Sequence, residues 1–112
     1  MKVKLSIKIN ELISLQKVTQ KLYDLDFSVF DNNEKVAVSI GLHLADKFDV
    51  KLKTIRKKLD LFKADKPIRF TFDFYEAWAL KKLCIELYGF GDNELTKLGI
   101  QNVINKLDRE RC

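Results

Sequence analysis

Two short runs of strict alternation fix most of what this chain can become. Val3, Leu5, Ile7 and Ile9 alternate with Lys2, Lys4, Ser6 and Lys8, and Ile68, Phe70, Phe72 and Phe74 alternate with Arg69, Thr71 and Asp73. A period of two belongs to a strand with one wet and one dry face. Each run leads straight into apolar residues spaced three and four apart, the stripe of an amphipathic helix. After the first run the stripe is Leu12, Leu15, Val18, Leu22 and Leu25, with Asn10 as the expected N-cap and an end near Asp26. After the second, Glu76 to Tyr88 carries Ala77, Leu80, Leu83, Cys84 and Leu87. Trp78 and Ile85 widen that apolar face, which makes this the expected central helix, closed by Gly89-Phe90-Gly91 as a C-cap.

Phe27 to Asn33 reads as a polar connection anchored by Phe27 and Phe30. Asn32-Asn33-Glu34 then opens a long periodic run of Val36, Ile40, Leu44, Phe48, Leu52, Ile55, Leu59 and Phe62. The spacing predicts a helix from about Glu34 to about Leu59, about 39 Å long at 1.5 Å per residue. Val36, Val38, Ile40, Leu42 and Leu44 also alternate around Gly41, which is a strand pattern. The unbroken stripe favours the helix, with a break at Asp46 to Asp49 as the alternative. Ala64 to Pro67 is a turn, and Asp92 or Asn93 caps a last helix through about Leu107.

The two halves match. Residues 4–23 and 69–88 align without a gap, setting Leu5, Ile7 and Ile9 on Phe70, Phe72 and Phe74, Glu11 on Glu76, and Leu15 on Leu80. The following helices match as well, with Glu34 on Glu94 and Ile40 on Ile100. The expected fold is therefore α+β, a single domain of two duplicated strand–helix–helix units, 1–66 and 67–112. Its two-stranded sheet packs against four helices, the second of them long. Chance likeness between amphipathic strand–helix pairs is the other reading. The length of 112 residues suits one domain. Core positions are expected at Leu5, Ile7, Leu15, Leu22, Leu44, Phe48, Phe70, Phe72, Leu80 and Leu83.

The formal net charge of +5 is localised. Between Asp46 and Arg69 lie nine basic residues and four acids, and the rest of the chain is balanced. On a helical wheel Lys47, Lys51 and Lys58 fall on one row with Thr54 and without an acid, a candidate phosphate-contacting row. The other flank mixes Asp46, Asp49 and Asp60 with Lys53, Arg56 and Lys57, which is an ordinary solvated face. The row itself also admits that plain reading. Lysine outnumbers arginine, 17 to four, so any nucleic-acid contact should be to the backbone and independent of sequence. Val50 and Leu61 lie opposite the apolar stripe and are candidate contacts with another chain.

Catalytic signatures are missing. There is no Walker loop, GxGxxG, HExxH, GxSxG or EF-hand pattern. His43 has no ligand-spaced partner and reads as structural or exposed. Asp73 and Glu76 form a carboxylate pair at a strand–helix junction, but a wet-face aspartate and a glutamate favoured by the helix N-terminus explain them. Phe74, Tyr75 and Trp78 read as core sooner than as an aromatic site. Ser14, Ser39 and Cys84 have no visible base. Cys84 and Cys112 belong to no CxxC or His/Cys cluster, so neither a disulfide framework nor zinc is expected, and a reducing compartment fits. No apolar run approaches the roughly 18 residues a membrane helix needs, and no signal-peptide core opens the chain.

The leading expectation is a small non-enzymatic cytoplasmic interaction protein, acting as adaptor, inhibitor or self-assembling accessory. It would have a protein partner, a homodimer foremost, and no cofactor, metal or membrane. Small Lys-rich chains without motifs are common among phage and mobile-element products, an association of composition alone. The alternative is a nucleic-acid-associated protein using the lysine row. An enzyme whose site is hidden from sequence comes third.

Overall fold

The computed structural model describes residues 2–26, 28, 30–57, 67–90 and 93–110. Within them the chain is α+β. Strand β1 (Lys2–Ile7) is followed by helix α1 (Ile9–Gln20) and a 3-10 turn (Lys21–Asp24), then helix α2 (Asn32–Lys57). Strand β2 (Ile68–Asp73), helix α3 (Phe74–Leu87), a 3-10 turn (Tyr88–Phe90) and helix α4 (Glu94–Arg109) complete the order. The strands pair antiparallel in the register Lys2↔Asp73, Lys4↔Thr71, Leu5↔Phe70, Ser6↔Arg69 and Ile7↔Ile68. Helix α1 packs against α2 and α4, and α3 also packs against both.

One sheet face is dry and built of Val3, Leu5, Ile7, Phe70 and Phe72; the other carries Lys4, Ser6, Arg69 and Thr71 to solvent. A pair of strands is marginal alone, and the helices supply the missing layer. Phe48 of α2 meets Phe70 and Phe72 edge-on, with ring centroids 5.6 and 6.3 Å away. All ten expected core positions are buried.

β1 stops two residues and β2 one residue short of the alternation, for the same reason. Glu11 is the third residue of α1, and its Oε1 accepts from the Lys8 backbone N–H at 2.7 Å. Glu76 holds the same position in α3, and its Oε1 accepts from the Asp73 N–H at 2.8 Å. Each glutamate satisfies a donor at its helix start, which turns the chain out of the strand. Ile9 and Phe74, expected on the strands, are thus the first residues of α1 and α3, and Phe74 is exposed. The N-cap of α1 is Lys8 rather than Asn10.

Helix α2 runs 26 residues without a break at Asp46 to Asp49, so the strand alternative at 36–44 does not hold. The Asp31 carboxylate caps its start by accepting from the Glu34 N–H at 2.8 Å, which also holds the Asp31 pKa below the ordinary value. Val36, expected on the stripe, is exposed, and Ala37 and Val38 are buried instead. Its expected continuation through Leu59 and Phe62, and the turn at 64–66, lie outside the described residues. Helix α1 yields to a 3-10 turn at Lys21, short of the expected end near Asp26, while Leu22 stays buried. Asn93 caps α4, accepting from the Thr96 N–H at 2.9 Å.

Two glycines set helix distances. A Cβ on Gly41 would stand 2.3 Å from Leu83 Cδ1 and 2.7 Å from Leu22 Cδ1. On Gly99 it would stand 2.3 Å from Ser14 Oγ and 2.8 Å from Ser14 Cβ. Gly89 does not adopt the left-handed conformation expected of a C-cap, because the chain leaves α3 through a 3-10 turn. Trp78 and Ile85, expected to bury and make α3 central, lie on its outer side, 38% and 55% exposed.

Candidate polyanion-binding face

The wet face of the sheet collects charge that the sequence keeps far apart. Lys4 lies opposite Thr71, and Ser6 opposite Arg69. All four side chains point to solvent because they share the parity opposite to the core residues. Beside β2 a groove is lined by Lys47, Val50, Lys51 and Thr54 of α2 together with Arg69 and Thr71. Beside β1 a second groove is lined by Lys4 and Ser6 with Lys106, Arg109 and Glu110. The result is a continuous cationic track from α2 across both strands to α4.

Its carboxylates are mostly engaged. Asp73, at one end of the sheet, pairs with Lys2; this holds the Asp73 carboxyl below its ordinary value and the Lys2 ammonium above its own. Glu11 is 2% exposed and binds Lys106 Nζ at 2.6 Å, and Lys106 also donates to the Ser6 carbonyl at 2.9 Å. Asp49 pairs with Lys53 at 2.9 Å, away from the track. Lys47 reaches Glu76 only at 4.0 Å and lies 5.4 Å from the Phe72 ring centroid. Lys4, Lys51 and Arg69 make no ion pair with another described residue.

Of the candidate phosphate contacts, Lys47 and Lys51 line the groove beside β2, while Lys58 lies outside the described residues. Thr54, on the same row, donates to the Val50 carbonyl at 3.0 Å. Val50, a candidate oligomer contact, is 63% exposed in the same groove, and Leu61 lies outside the described residues. Lys4, Ser6, Arg69 and Thr71 were legible as wet-face positions; only the strand register makes them one surface with α2.

The other candidates have structural roles. Asp73 and Glu76 are occupied by Lys2 and by the helix start. Burial pushes the Cys84 thiol up to about 12, which leaves it unreactive as a nucleophile at neutral pH. His43 is exposed. Among the described residues no group of three or more His, Cys, Asp or Glu is placed to hold a metal ion, and no helix is long and apolar enough to cross a membrane. Phe74, Tyr75, Trp78 and Ile85, expected to be core, form an exposed apolar surface on α3 instead.

No family model matches the sequence, and no solved structure matches the chain. Over 97 residues it is 34% identical to an uncharacterized protein of Rickettsia prowazekii (strain Madrid E), a match covering 84% of this chain and 46% of that protein. The chain therefore spans less than half the length of this relative.

Proposed function

We propose that this chain is a non-enzymatic cytoplasmic binding module whose ligand is the phosphate backbone of a nucleic acid. The cationic track carries this reading: Lys4 and Arg69 sit between hydroxyls on a solvent-facing sheet, continued by Lys47 and Lys51. Lysine-dominated contact to phosphates is electrostatic and insensitive to base sequence. The test is anisotropy of labelled mixed-sequence nucleic acid at about 50 mM salt, where binding is expected and should fall at least tenfold by about 200 mM. Absence of binding at the lower salt would sink the reading.

A second reading is a homodimer through the outer side of α3, favoured by the exposed Phe74, Tyr75, Trp78 and Ile85. The Lys82–Glu86 pair beside Trp78 and Ile85 presents both charges, so two copies related by a twofold could exchange them. Sedimentation at micromolar concentration decides this, since a single species of monomer mass on concentrating would remove it.

The module also fits descent from a duplicated strand–helix–helix unit. The equivalent placement of Glu11 and Glu76, and of α2 beside β2 and α4 beside β1, supports that origin.

A further inference from the structure

We propose that the sheet face takes double-stranded rather than single-stranded nucleic acid, with the local twofold of the strand pair set on the twofold of the duplex; the inference rests on the polyanion reading above. The register supplies its geometry. Leu5 and Phe70 face each other next to the middle of the ladder, and the local twofold through them is taken as the centre. Lys4 and Arg69 each precede that centre by one residue, and Ser6 and Thr71 each follow it by one. Because the strands run in opposite directions, a half-turn about an axis through the Leu5–Phe70 pair carries Lys4 onto Arg69 and Ser6 onto Thr71. The backbone of any antiparallel pair has this local symmetry; here the chemistry of the wet side chains obeys it too.

The flanks follow the rule in part. The Arg69–Thr71 side continues into the α2 groove with Lys47 and Lys51, and the Lys4–Ser6 side continues into the α4 groove with Arg109 and Glu110, where Lys106 is held by Glu11. Each half is a cation and a hydroxyl beside a groove that adds further cations, Lys47 and Lys51 on one side and Arg109 on the other, and the two halves point in opposite senses. A single strand has one direction and meets only one half in a given sense. A duplex has two antiparallel backbones related by twofolds across its axis, so each half receives one backbone in the same sense. Lys4 and Arg69 are diagonal neighbours across the strands, about 7–8 Å apart at their backbones. Their long side chains extend that span into the range of the duplex groove widths, about 6 and 12 Å.

The experiment uses the full chain, a mixed-sequence DNA duplex of about 20 base pairs and the corresponding single strand, titrated by anisotropy between about 50 and 200 mM salt. The expected result is at least tenfold tighter binding of the duplex at equal salt. Lys4→Ala and Arg69→Ala should each lower the slope of log K against log salt by about 0.9 on the duplex, with similar losses of affinity. Lys53→Ala, outside the track, should leave both unchanged, and circular dichroism should show each variant folded. A single strand bound as tightly as the duplex, or a loss confined to one of Lys4 and Arg69, would overturn the twofold inference and leave the polyanion reading standing. Capture by anionic lipid vesicles without duplex binding would overturn both.

Discussion

The two long helices approach one sheet from opposite edges and hold it by different means. At the β2 edge, α2 contributes an aromatic, Phe48, set edge-on against Phe70 and Phe72, which stack with centroids 5.6 Å apart. At the β1 edge, α4 contributes an ion: Lys106 binds the buried Glu11 and the Ser6 carbonyl. Glu76, the counterpart of Glu11, has Lys47 only at 4.0 Å. One edge is held by packing and leaves its lysine loosely engaged; the other is held by a short ion pair that keeps its lysine in place. The two helix-start glutamates thus meet lysines with different duties, Lys47 available to a ligand and Lys106 committed to the fold.

The largest expected effect tests the packed edge. Phe48→Ala should cost about 3–5 kcal/mol, because it empties a fully buried ring site shared by both strand phenylalanines. A loss in urea denaturation below about 1 kcal/mol would mean that the aromatic cluster does not carry this edge.

The ionic edge is tested by Glu11→Gln against Glu76→Gln. Breaking a buried pair typically costs about 3–5 kcal/mol. Lys106 keeps some solvent and the Ser6 carbonyl, so Glu11→Gln should cost about 2–3 kcal/mol and Glu76→Gln about 1 kcal/mol. Equal losses would erase the distinction between the edges.

The glycine crossings sharpen the comparison. Gly99→Ala drives a Cβ against the Ser14 Cβ, which moves only with its backbone, whereas Gly41→Ala meets the tips of two leucines. Overpacking costs about 1–3 kcal/mol, offset by about 0.5–1 kcal/mol of helix preference for alanine. Gly99→Ala should therefore be the more destabilising of the two, and the reverse order in thermal melts would place the tighter crossing at α2.

The smallest effect belongs to the sheet end. Asp73 is held low by Lys2, so its contribution is present at neutral pH and disappears as pH falls through its depressed folded pKa. Stability curves of the parent and Asp73→Asn should converge in acid, below the ordinary carboxylate range. A difference that persists there would assign the effect to something other than charge.

Much of this architecture was legible because periods of two and 3.6 are local. The stripe continuing through Phe48 and Leu52 correctly favoured helix over strand at 36–44. Alternation misled at Ile9 and Phe74, since side-chain pattern does not record a backbone N–H taken by a glutamate three residues on. It misled on α3 too: Trp78 and Ile85 are apolar enough for a core, and only the positions of α2 and α4 decide that they face outward. The candidate site was half visible. Lys47 and Lys51 stood on a wheel, but Arg69 joins them through packing of β2 beside α2. The alignment that sets Leu5 on Phe70 also sets Lys4 on Arg69, and that signal could have found the face.

The strand register also imposes a schedule on synthesis. β1 leaves the ribosome before β2, its sheet partner among the described residues, which is encoded at residues 68–73. At about 5–20 residues per second, β1 waits several seconds or more with its apolar side uncovered. The alternating lysines keep the nascent segment charged throughout that interval, which discourages pairing with neighbouring chains. The same Lys4 that faces solvent in the finished sheet thus has an earlier duty, as a guard on a strand that has not yet met its mate.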